Sequence, residues 1–506
     1  MAATAPEARP PGPRTLFPSH PAGLQTLFFT EIWERFSYYG MRALLVLFMV
    51  DAVQTGGMGL NDQIATAIYG IYTAAVYLLA LPGGWIADRL LGAQRAIWYG
   101  GIIIALGHFT LAIPSAYAFF FGLLFVASGT GLLKPNISAV VGELYAPGDP
   151  RRDGGFTIFY MGINLGAIAG PLICGYLAES EDYGWHYGFA AAGVGMLFGL
   201  LQFRLTQSRL GDAGQHPTLG GDQLEQSAAA RAGWRRVWIG VALAVALVAV
   251  LVSGLWRPDP VAVAQGTTAF IVALAAAYFV WLYLFGQLDA DEKRRVAVII
   301  ILFFAAAMFW AGFEQAGSSL NLFAERFTDR VIGDFEIPAS WFQSANPVMI
   351  VVLAPVFAAV WSALARRNLD PATPAKFGLG LVLLGAGFGV MFFASQLIGG
   401  GDKVLPTWLI CTYLLHTMGE LALSPVGLSA TTKLAPRRYV GQMMGVWFLG
   451  AALGNVLAGL LAGELTGEAV GDLPALYRQI VLTSVGAGVL LLVLTRPITR
   501  LLARKR

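Results

Sequence analysis

Apolar segments long enough to cross a membrane recur along the whole chain, and short polar stretches separate them. A spanning helix needs about 20 largely apolar residues. Fourteen segments have this length and character, so the pattern predicts an all-α polytopic membrane protein with 14 transmembrane helices. The predicted spans are 24–52, 63–88, 95–114, 117–141, 154–178, 187–206, 235–255, 264–286, 295–324, 341–365, 376–398, 405–432, 440–464 and 475–500.

The basic residues indicate how these helices are oriented. Cytoplasmic loops of membrane proteins carry an excess of Lys and Arg. With 14 spans both termini lie on one side, and that side receives 25 of the 33 basic residues, whereas the other receives five and the spans hold three. We therefore expect a multi-pass protein of the inner or plasma membrane with both termini cytoplasmic. Residues 1–23 are Pro-rich, lack the apolar core of a signal peptide and are expected to form a cytoplasmic tail.

The spans divide into groups of six, two and six. Residues 24–206 form the first predicted six-helix bundle, and residues 295–506 form the second. The segment 207–294 begins with a polar linker and then carries two inserted spans, whose lack of polar groups predicts that they face lipid. Pro135 and Pro425 lie in corresponding spans of the two bundles, which favours a structural repeat with bent or broken helices.

Ionisable side chains inside a membrane span are costly, so each one suggests a function. The first span contains the stretch EIWERFSYYG, followed closely by a second arginine. At the i, i+3, i+4, i+7 and i+11 spacing of a helix, one face carries Glu31, Glu34, Arg35, Tyr38 and Arg42. We expect this stripe to face a watery interior. A structural ion pair that joins helices is the alternative, although a second arginine would then still need a partner.

Charges in the other spans differ between the two bundles. Lys134 adds positive charge to the first bundle, whereas Glu314 and Glu420 add negative charge to the second. A cavity between the bundles would be dipolar and would suit a zwitterion whose carboxylate and ammonium groups lie far apart. Other candidates could line that cavity or merely pack and hydrogen-bond between helices: Asn164, Asn346, Tyr38, Tyr39, Tyr77, Trp310 and Trp447.

Composition excludes several classes of function. The chain is 57% hydrophobic and only 12% charged, against about a quarter charged in soluble domains. The net charge of +3 comes without a basic cluster, so no nucleic-acid partner is expected. The two cysteines have no nearby ligands, which predicts neither a disulfide nor a metal site. No nucleophile–base set is evident, so we expect no enzyme, while an exporter of drugs or anions and a helix-lined channel stay open.

Three motifs resemble those of a known family, and a fourth resembles a motif of a broader superfamily. The stretch EIWERFSYYG is similar to the ExxER signature and F-x-YYG run of proton-coupled oligopeptide transporters. The segments GTGLLKPNISAVVGELY and FTIFYMGINLGAIAGPLICGYL resemble the two longer signatures of that family. The loop GGWIADRLLGAQR resembles a cytoplasmic motif of the broader major facilitator superfamily. The resemblance covers essentially the whole chain, including the two inserted helices typical of bacterial members.

This resemblance implies a major facilitator fold, with two six-helix bundles about a central cavity. It also implies symport of di- and tripeptides with protons by alternating access. No cofactor is implied beyond the proton as coupling ion. The implied partners are peptide substrates, protons and membrane lipid, and we expect a monomer. A major facilitator transporter of another solute, such as an anion, a drug or an amino-acid derivative, is the alternative.

The resemblance also implies roles for individual residues of this sequence. The peptide carboxylate would meet Arg35, Arg42 and Lys134. The peptide amino terminus would meet Glu420, helped by Asn164 and Asn346. The rest of the peptide site would consist of Tyr38, Tyr39, Tyr77, Trp310, Glu314 and Trp447. Coupling of protonation to gating would involve Glu31, Glu34, Arg35, Lys134 and Glu314.

Overall fold

The structure, a computed structural model, describes residues 16–146, 148–217, 223–398, 402–464 and 473–502. Most of the predicted tail at 1–23 lies outside these residues. The described residues contain fourteen long α-helices and one short helix, α10. The helices are α1 (Ala22–Val50), α2 (Asp62–Ile86), α3 (Ala93–Leu111), α4 (Ala116–Glu143), α5 (Arg152–Glu179), α6 (Trp185–Thr206), α7 (Gln223–Val252), α8 (Pro260–Phe285), α9 (Ala290–Phe313), α10 (Ser319–Phe327), α11 (Ala345–Arg366), α12 (Thr373–Leu397), α13 (Thr407–Leu434), α14 (Val440–Glu464) and α15 (Leu473–Leu502). A hairpin of β1 (Val331–Ile332) and β2 (Phe335–Glu336) follows α10.

Helical structure is found at each predicted span, and 12 helical segments of the described residues are long and apolar enough to cross a membrane. Helices α1 and α3 are long enough but fall short in mean hydropathy, because they are more polar. Helix α1 carries its stripe of ionisable groups, and α3 has Gln94 and Arg95 in its first turn. Helix α7 begins well before the predicted span, because an Ala-rich stretch of good helix formers precedes its apolar part.

The long helices pack as two bundles. Helices α1 to α6 pack on one another. In the second group α9 packs with α12 to α15, and α11 packs against α13. Helix α8 packs against α2 of the first bundle and α14 of the second. Helix α7 contacts the rest of the protein chiefly at the π-helical turn Ala87–Leu91 that follows α2. The predicted fold of two six-helix bundles with an inserted pair is therefore confirmed.

The ninth predicted span, 295–324, is not a single helix. Helix α9 ends at Phe313, the 3₁₀ turn Glu314–Gly317 follows, and Ser318 has φ −127° and ψ −99° before α10 begins. Gly and Ser are weaker helix formers than the apolar residues before them, and they allow the chain to leave the helix here. The predicted span is present, but its helix is interrupted at this point. By contrast, the prolines of α4 and α13 lie inside continuous helices.

Polar contacts join the two bundles at the end of the interface where α1 and α5 end. Glu179, the last residue of α5, accepts hydrogen bonds from the backbone N–H groups of Ala339 at 2.6 Å and Ser340 at 3.1 Å. Arg326 of α10 donates two hydrogen bonds to Asp62 of α2, at 2.6 and 2.8 Å. Bidentate arginine–carboxylate pairs are among the strong polar contacts in proteins. These contacts hold the bundles together at this end.

Two glycines let the bundles approach each other closely. Gly70 of α2 faces Gly459 of α14, and a Cβ atom added to Gly70 would lie 3.0 Å from the Cα of Gly459. That distance is too short for any side chain without movement of one backbone. The face around Gly70 therefore depends on the absence of a side chain.

Replacing Gly70 with Leu is expected to push the bundles apart and to reduce transport strongly. Overpacking costs about 1–3 kcal/mol, and here the cost falls on the conformation in which this face is closed. Uptake of labelled substrate per correctly inserted protein would measure the effect. The matched control is Gly389→Leu in α12, where an added Cβ meets nothing within 4 Å. Wild-type uptake by Gly70→Leu would contradict a role for this contact in closure.

Candidate functional site

A buried ion pair connects the two bundles beside the break after α9. Arg42 of α1 donates through Nη2 to the Glu314 Oε2 atom at 2.6 Å and through Nε to the Tyr69 hydroxyl at 2.7 Å. Arg42 is 9% exposed and Glu314 is 3% exposed. Removing one partner of such a pair leaves an uncompensated buried charge. The pair therefore couples the local backbone of the second bundle to α1 of the first.

A central cavity between the bundles is lined by ten of the residues that the sequence analysis predicted as site residues. The first bundle contributes polar, aromatic and cationic groups, and the second contributes polar, aromatic and acidic groups. The predicted site residues that line it are Tyr38, Tyr39, Arg42, Tyr77, Lys134, Asn164, Trp310, Glu314, Asn346 and Glu420.

The acidic end of the cavity is built by α11 and α13. Asn346 lies near the start of α11 and donates through Nδ2 to the Glu420 Oε2 atom and to the Thr417 hydroxyl, at 3.0 Å each. Its amide dipole thereby orients the Glu420 carboxylate. The other carboxylate oxygen has no such protein donor among the described residues. That oxygen can accept a hydrogen bond from a cationic ligand group in the cavity.

The cationic side of the cavity is formed by Lys134 of α4. Its Nζ atom lies 4.4 Å from the centre of the Tyr77 ring, which is within cation–π distance. No carboxylate of the described residues lies within 4 Å of this nitrogen. Lys134 is therefore available to bind an anionic group in the cavity.

The three charged residues at the start of the α1 stripe form a separate, sealed cluster. Arg35 Nε lies 3.1 Å from the Glu31 Oε1 atom and also donates to Glu34. Each of the three residues is at most 2% exposed, and none of them lines the cavity. The guanidinium carbon of Arg35 lies 5.2 Å from the centre of the Tyr38 ring. Tyr38 does line the cavity, so it lies between the cluster and the central cavity.

The cluster holds two carboxylates and one guanidinium. If both carboxylates are ionised, the cluster has one excess negative charge in a place that water does not reach. An unpaired buried charge costs several kcal/mol, so a proton on one carboxylate would relieve it. The arrangement can therefore take up and release a proton.

Trp447 lies away from the central cavity. Its ring packs 6.4 Å from that of Phe377 and against Gly427, and it lines a small separate space near Thr431. Asn164 reaches the cavity but gives one amide hydrogen to the Tyr160 carbonyl oxygen at 2.9 Å, within its own helix. The structure thus brings together most of the aromatic and amide candidates, but not Trp447.

Several residues of the site were not found from the sequence. Gln343, Tyr160 and Tyr413 line the cavity, and Tyr69 binds Arg42. A tyrosine in an apolar span gives no signal that separates a cavity position from a packing position. Gln343 lies in the short 3₁₀ helix Ala339–Ser344, just before α11, where the sequence predicts the start of a span.

A larger cavity, of about 840 Å³, lies further along α1, beyond the Arg42–Glu314 pair. It is lined by Asp51 and by the contacts at Glu179, Arg326 and Arg330 that join the bundles. The carbonyl oxygen of Ala43 lies between the two cavities and accepts hydrogen bonds from the second bundle. We take the central cavity as the candidate substrate site. There Lys134 and Glu420 face one space from opposite bundles, whereas Glu179 and Arg326 in the larger space are engaged in the contacts that join the bundles.

Comparison with known proteins identifies the family of this chain. The chain is 44% identical over 503 residues to the peptide transporter YePEPT of Yersinia enterocolitica, covering 97% of each chain. It is 38% identical to a di-/tripeptide transporter of Lactococcus lactis subsp. cremoris, covering 97% of this chain and 98% of the relative. These relatives are transporters rather than enzymes.

Solved structures agree with these relatives. The crystal structure of a peptide transporter in complex with sulfate has a TM-score of 0.88 and 42% identity, with 96% of this chain and 97% of that chain covered. The model of the POT family matches residues 94–473. This chain is therefore an integral membrane protein that belongs to the POT family, the proton-coupled oligopeptide transporters.

Proposed function

We propose that the protein imports di- and tripeptides together with protons by alternating access. The observation that carries the proposal is the opposite charge of the two sides of the cavity. Lys134 of the first bundle and Glu420 of the second face one space. A short peptide is a zwitterion with its charges at its two ends, so it can bind both sides at once.

The peptide carboxylate would bind Lys134, with Arg42 available when its pair with Glu314 opens. The peptide ammonium would bind Glu420, which Asn346 orients. Aromatic side chains that line the cavity, such as Tyr39 and Trp310, would contact the peptide backbone and side chains. A peptide that contacts both bundles binds more tightly when the bundles are close together than when they are apart. This difference in affinity can shift the equilibrium toward the conformation in which the cavity is closed around the peptide.

Proton coupling would rest on the sealed cluster and on Glu314. A proton on Glu31 or Glu34 would weaken the hold of the carboxylates on Arg35, and a proton on Glu314 would weaken its pair with Arg42. A freed guanidinium could then turn toward the peptide carboxylate. The proton gradient would be the sole energy source, with no cofactor.

We place both termini in the cytoplasm, because basic residues concentrate on that side. The end where α1 and α5 finish would then face outward, and its interbundle contacts support an outward-closed, inward-facing state. Residues 24–206 and 295–506 would rock about the cavity, and 207–294 would move with them. One chain supplies both sides of the site, which supports a monomer as the transport unit.

Uptake by liposomes under an imposed inward proton gradient tests this function. The panel comprises alanine, dialanine, trialanine, tetraalanine and nitrate, with N-acetyl-dialanine and dialanine amide as controls that each lack one terminal charge. We expect accumulation of dialanine and trialanine, and at least about tenfold weaker competition by either control, as for loss of one charge-assisted hydrogen bond. Gradient-driven uptake of nitrate with no effect of dialanine would instead favour a transporter of another solute.

A further inference from the structure

The inserted helix α7 stands apart from the first bundle and leaves a cleft of about 670 Å³. Near its start, α7 contacts the bundle at Gly233, where an added Cβ would meet Leu90 at 2.7 Å and Trp85 at 3.5 Å. About two turns later the helix and the bundle separate. A Cβ added to Gly240 meets nothing within 4 Å, although Gly240 lines the cleft. The cleft is thus a wedge that opens along α7.

One face of α7 forms one wall of this wedge. The lining positions of α7 follow helical spacing, from Arg236 through Val237, Gly240 and Val241 to Ala244. The opposite wall comes from α2, α3 and α4 and is apolar except for Ser128, with Pro82, Ile103 and Leu132 among its residues. From 236 to 244 the wedge runs about 12 Å along the helix, at 1.5 Å per residue. That length is close to half of the roughly 30 Å hydrocarbon core of a bilayer, which is the depth of one leaflet.

The charged end of the wedge is basic. Arg236 lines it, and Arg231 and Arg235 lie within five residues of it along α7. All three are exposed, and none pairs with a carboxylate among the side chains that the structure describes. Trp234 and Trp238 are also exposed at this level, 36% and 65% respectively. Arginine and tryptophan together are typical of the headgroup region of a bilayer.

We propose that this wedge is a binding site for one anionic phospholipid of the leaflet at the basic end of α7. The phosphate accepts hydrogen bonds from the Arg236 guanidinium, and one acyl chain occupies the apolar wedge between α7 and the bundle. A guanidinium fork fits a phosphate with two parallel hydrogen bonds. Basic pockets between transmembrane helices are suited to anionic headgroups. The lipid thereby fills the space that no protein side chain of α7 or the bundle occupies.

A lipid fits this space better than other occupants. The wedge opens to the hydrocarbon region, where α7 has no buried residue in its apolar window. Its volume lies within the range of about 300–1,000 Å³ that ligand pockets have. Ser128 is the one hydroxyl-bearing residue among the described residues that line the wedge, so its interior offers a soluble ligand little polar contact. Its mouth carries the Arg236 guanidinium, which has no carboxylate partner among the described side chains. A polar mouth above an apolar slot of one-leaflet depth matches the chemistry of a phospholipid.

Photocrosslinking of the full chain in nanodiscs tests the proposal. The probe is phosphatidylglycerol with a diazirine near the end of one acyl chain, and phosphatidylcholine with the same chains is its zwitterionic counterpart. Adducts are expected on residues 237–244 and 79–86, with phosphatidylglycerol labelling several-fold above phosphatidylcholine. Arg236→Gln is expected to lower phosphatidylglycerol labelling about fivefold and to leave phosphatidylcholine labelling unchanged. Gly240→Leu is expected to lower labelling of this segment by both lipids, because its side chain fills the wedge.

Two matched variants serve as controls, Arg366→Gln at the exposed end of α11 and Gly266→Leu in α8, where an added Cβ also meets nothing within 4 Å. Neither is expected to change the adducts on 237–244. Monodisperse gel filtration and an unchanged Tm check that each variant is folded. Equal labelling by the two lipids, with no effect of Arg236→Gln, would overturn the proposal. Crosslinks from 237–244 to a second polypeptide instead of to lipid would also overturn it.

Discussion

Glu31→Gln is expected to abolish proton-driven accumulation of dialanine while leaving counterflow of dialanine largely intact. Glu31 and Glu34 share Arg35 in a cluster that water does not reach. A glutamine at 31 stays neutral, so the cluster carries no excess negative charge and needs no proton. Exchange of one peptide for another, which requires no net proton movement, can then continue. With one proton per peptide, a gradient of one pH unit supports about tenfold accumulation. The variant is expected to remain near equal concentrations.

The control for this experiment is Glu181→Gln, which changes an exposed glutamate in the loop between α5 and α6. It is expected to accumulate dialanine as the wild type does. Both reactions are measured in the same liposome preparation, so that a loss of counterflow reports misfolding or lost binding rather than uncoupling. Unchanged accumulation by Glu31→Gln would show that the proton is carried elsewhere, with Glu314 as the next group to test.

The α1 stripe illustrates what helical spacing can predict. Spacing placed the five residues on one face, and the structure agrees that Arg42 and Tyr38 face the cavity. It did not predict that the face is divided along its length. Gly166 of α5 lies so close to α1 that a Cβ there would meet the Arg35 side chain at 2.8 Å. This close approach of α5 shields Glu31, Glu34 and Arg35 from water. Periodicity gives the direction of a side chain, but the approach of a neighbouring helix decides whether water reaches it.

The second bundle shows a related difference between sequence and structure. The charge of Glu420 marked a cavity position, because ionisable groups in a span are costly. The amide of Asn346 could equally have joined helices, and the structure shows that it lines the cavity and also binds Glu420. Trp447 carried no comparable signal, and it packs against Phe377 instead. The break at Glu314 was also hidden, since the apolar residues around it continue the pattern of a span. Charges could therefore be placed from the sequence, whereas aromatic residues and helix breaks depend on packing between helices.

Glu420→Gln is expected to raise the KM for dialanine about tenfold to a hundredfold, with a smaller change in kcat. The carboxylate is proposed to bind the peptide ammonium, and a charge-assisted hydrogen bond of this kind contributes about 1.5–3 kcal/mol. Glutamine keeps the size of the side chain and its contact with Asn346, so the loss reflects charge rather than packing. Glu464→Gln, at the exposed end of α14, is the control and is expected to retain the wild-type KM.

The same variant can separate the ammonium contact from a general effect on the site. For the wild type, N-acetyl-dialanine should compete far less well than dialanine, because it has no ammonium for Glu420. In Glu420→Gln the preference for dialanine over N-acetyl-dialanine should largely disappear, since the side chain that binds the ammonium has lost its charge. A variant that loses affinity for both compounds in equal proportion would contradict the assignment, because the effect would then come from the shape of the cavity. If the preference is lost, Glu420 binds the amino terminus of the peptide, and Lys134 on the opposite bundle is then the expected partner of the peptide carboxylate.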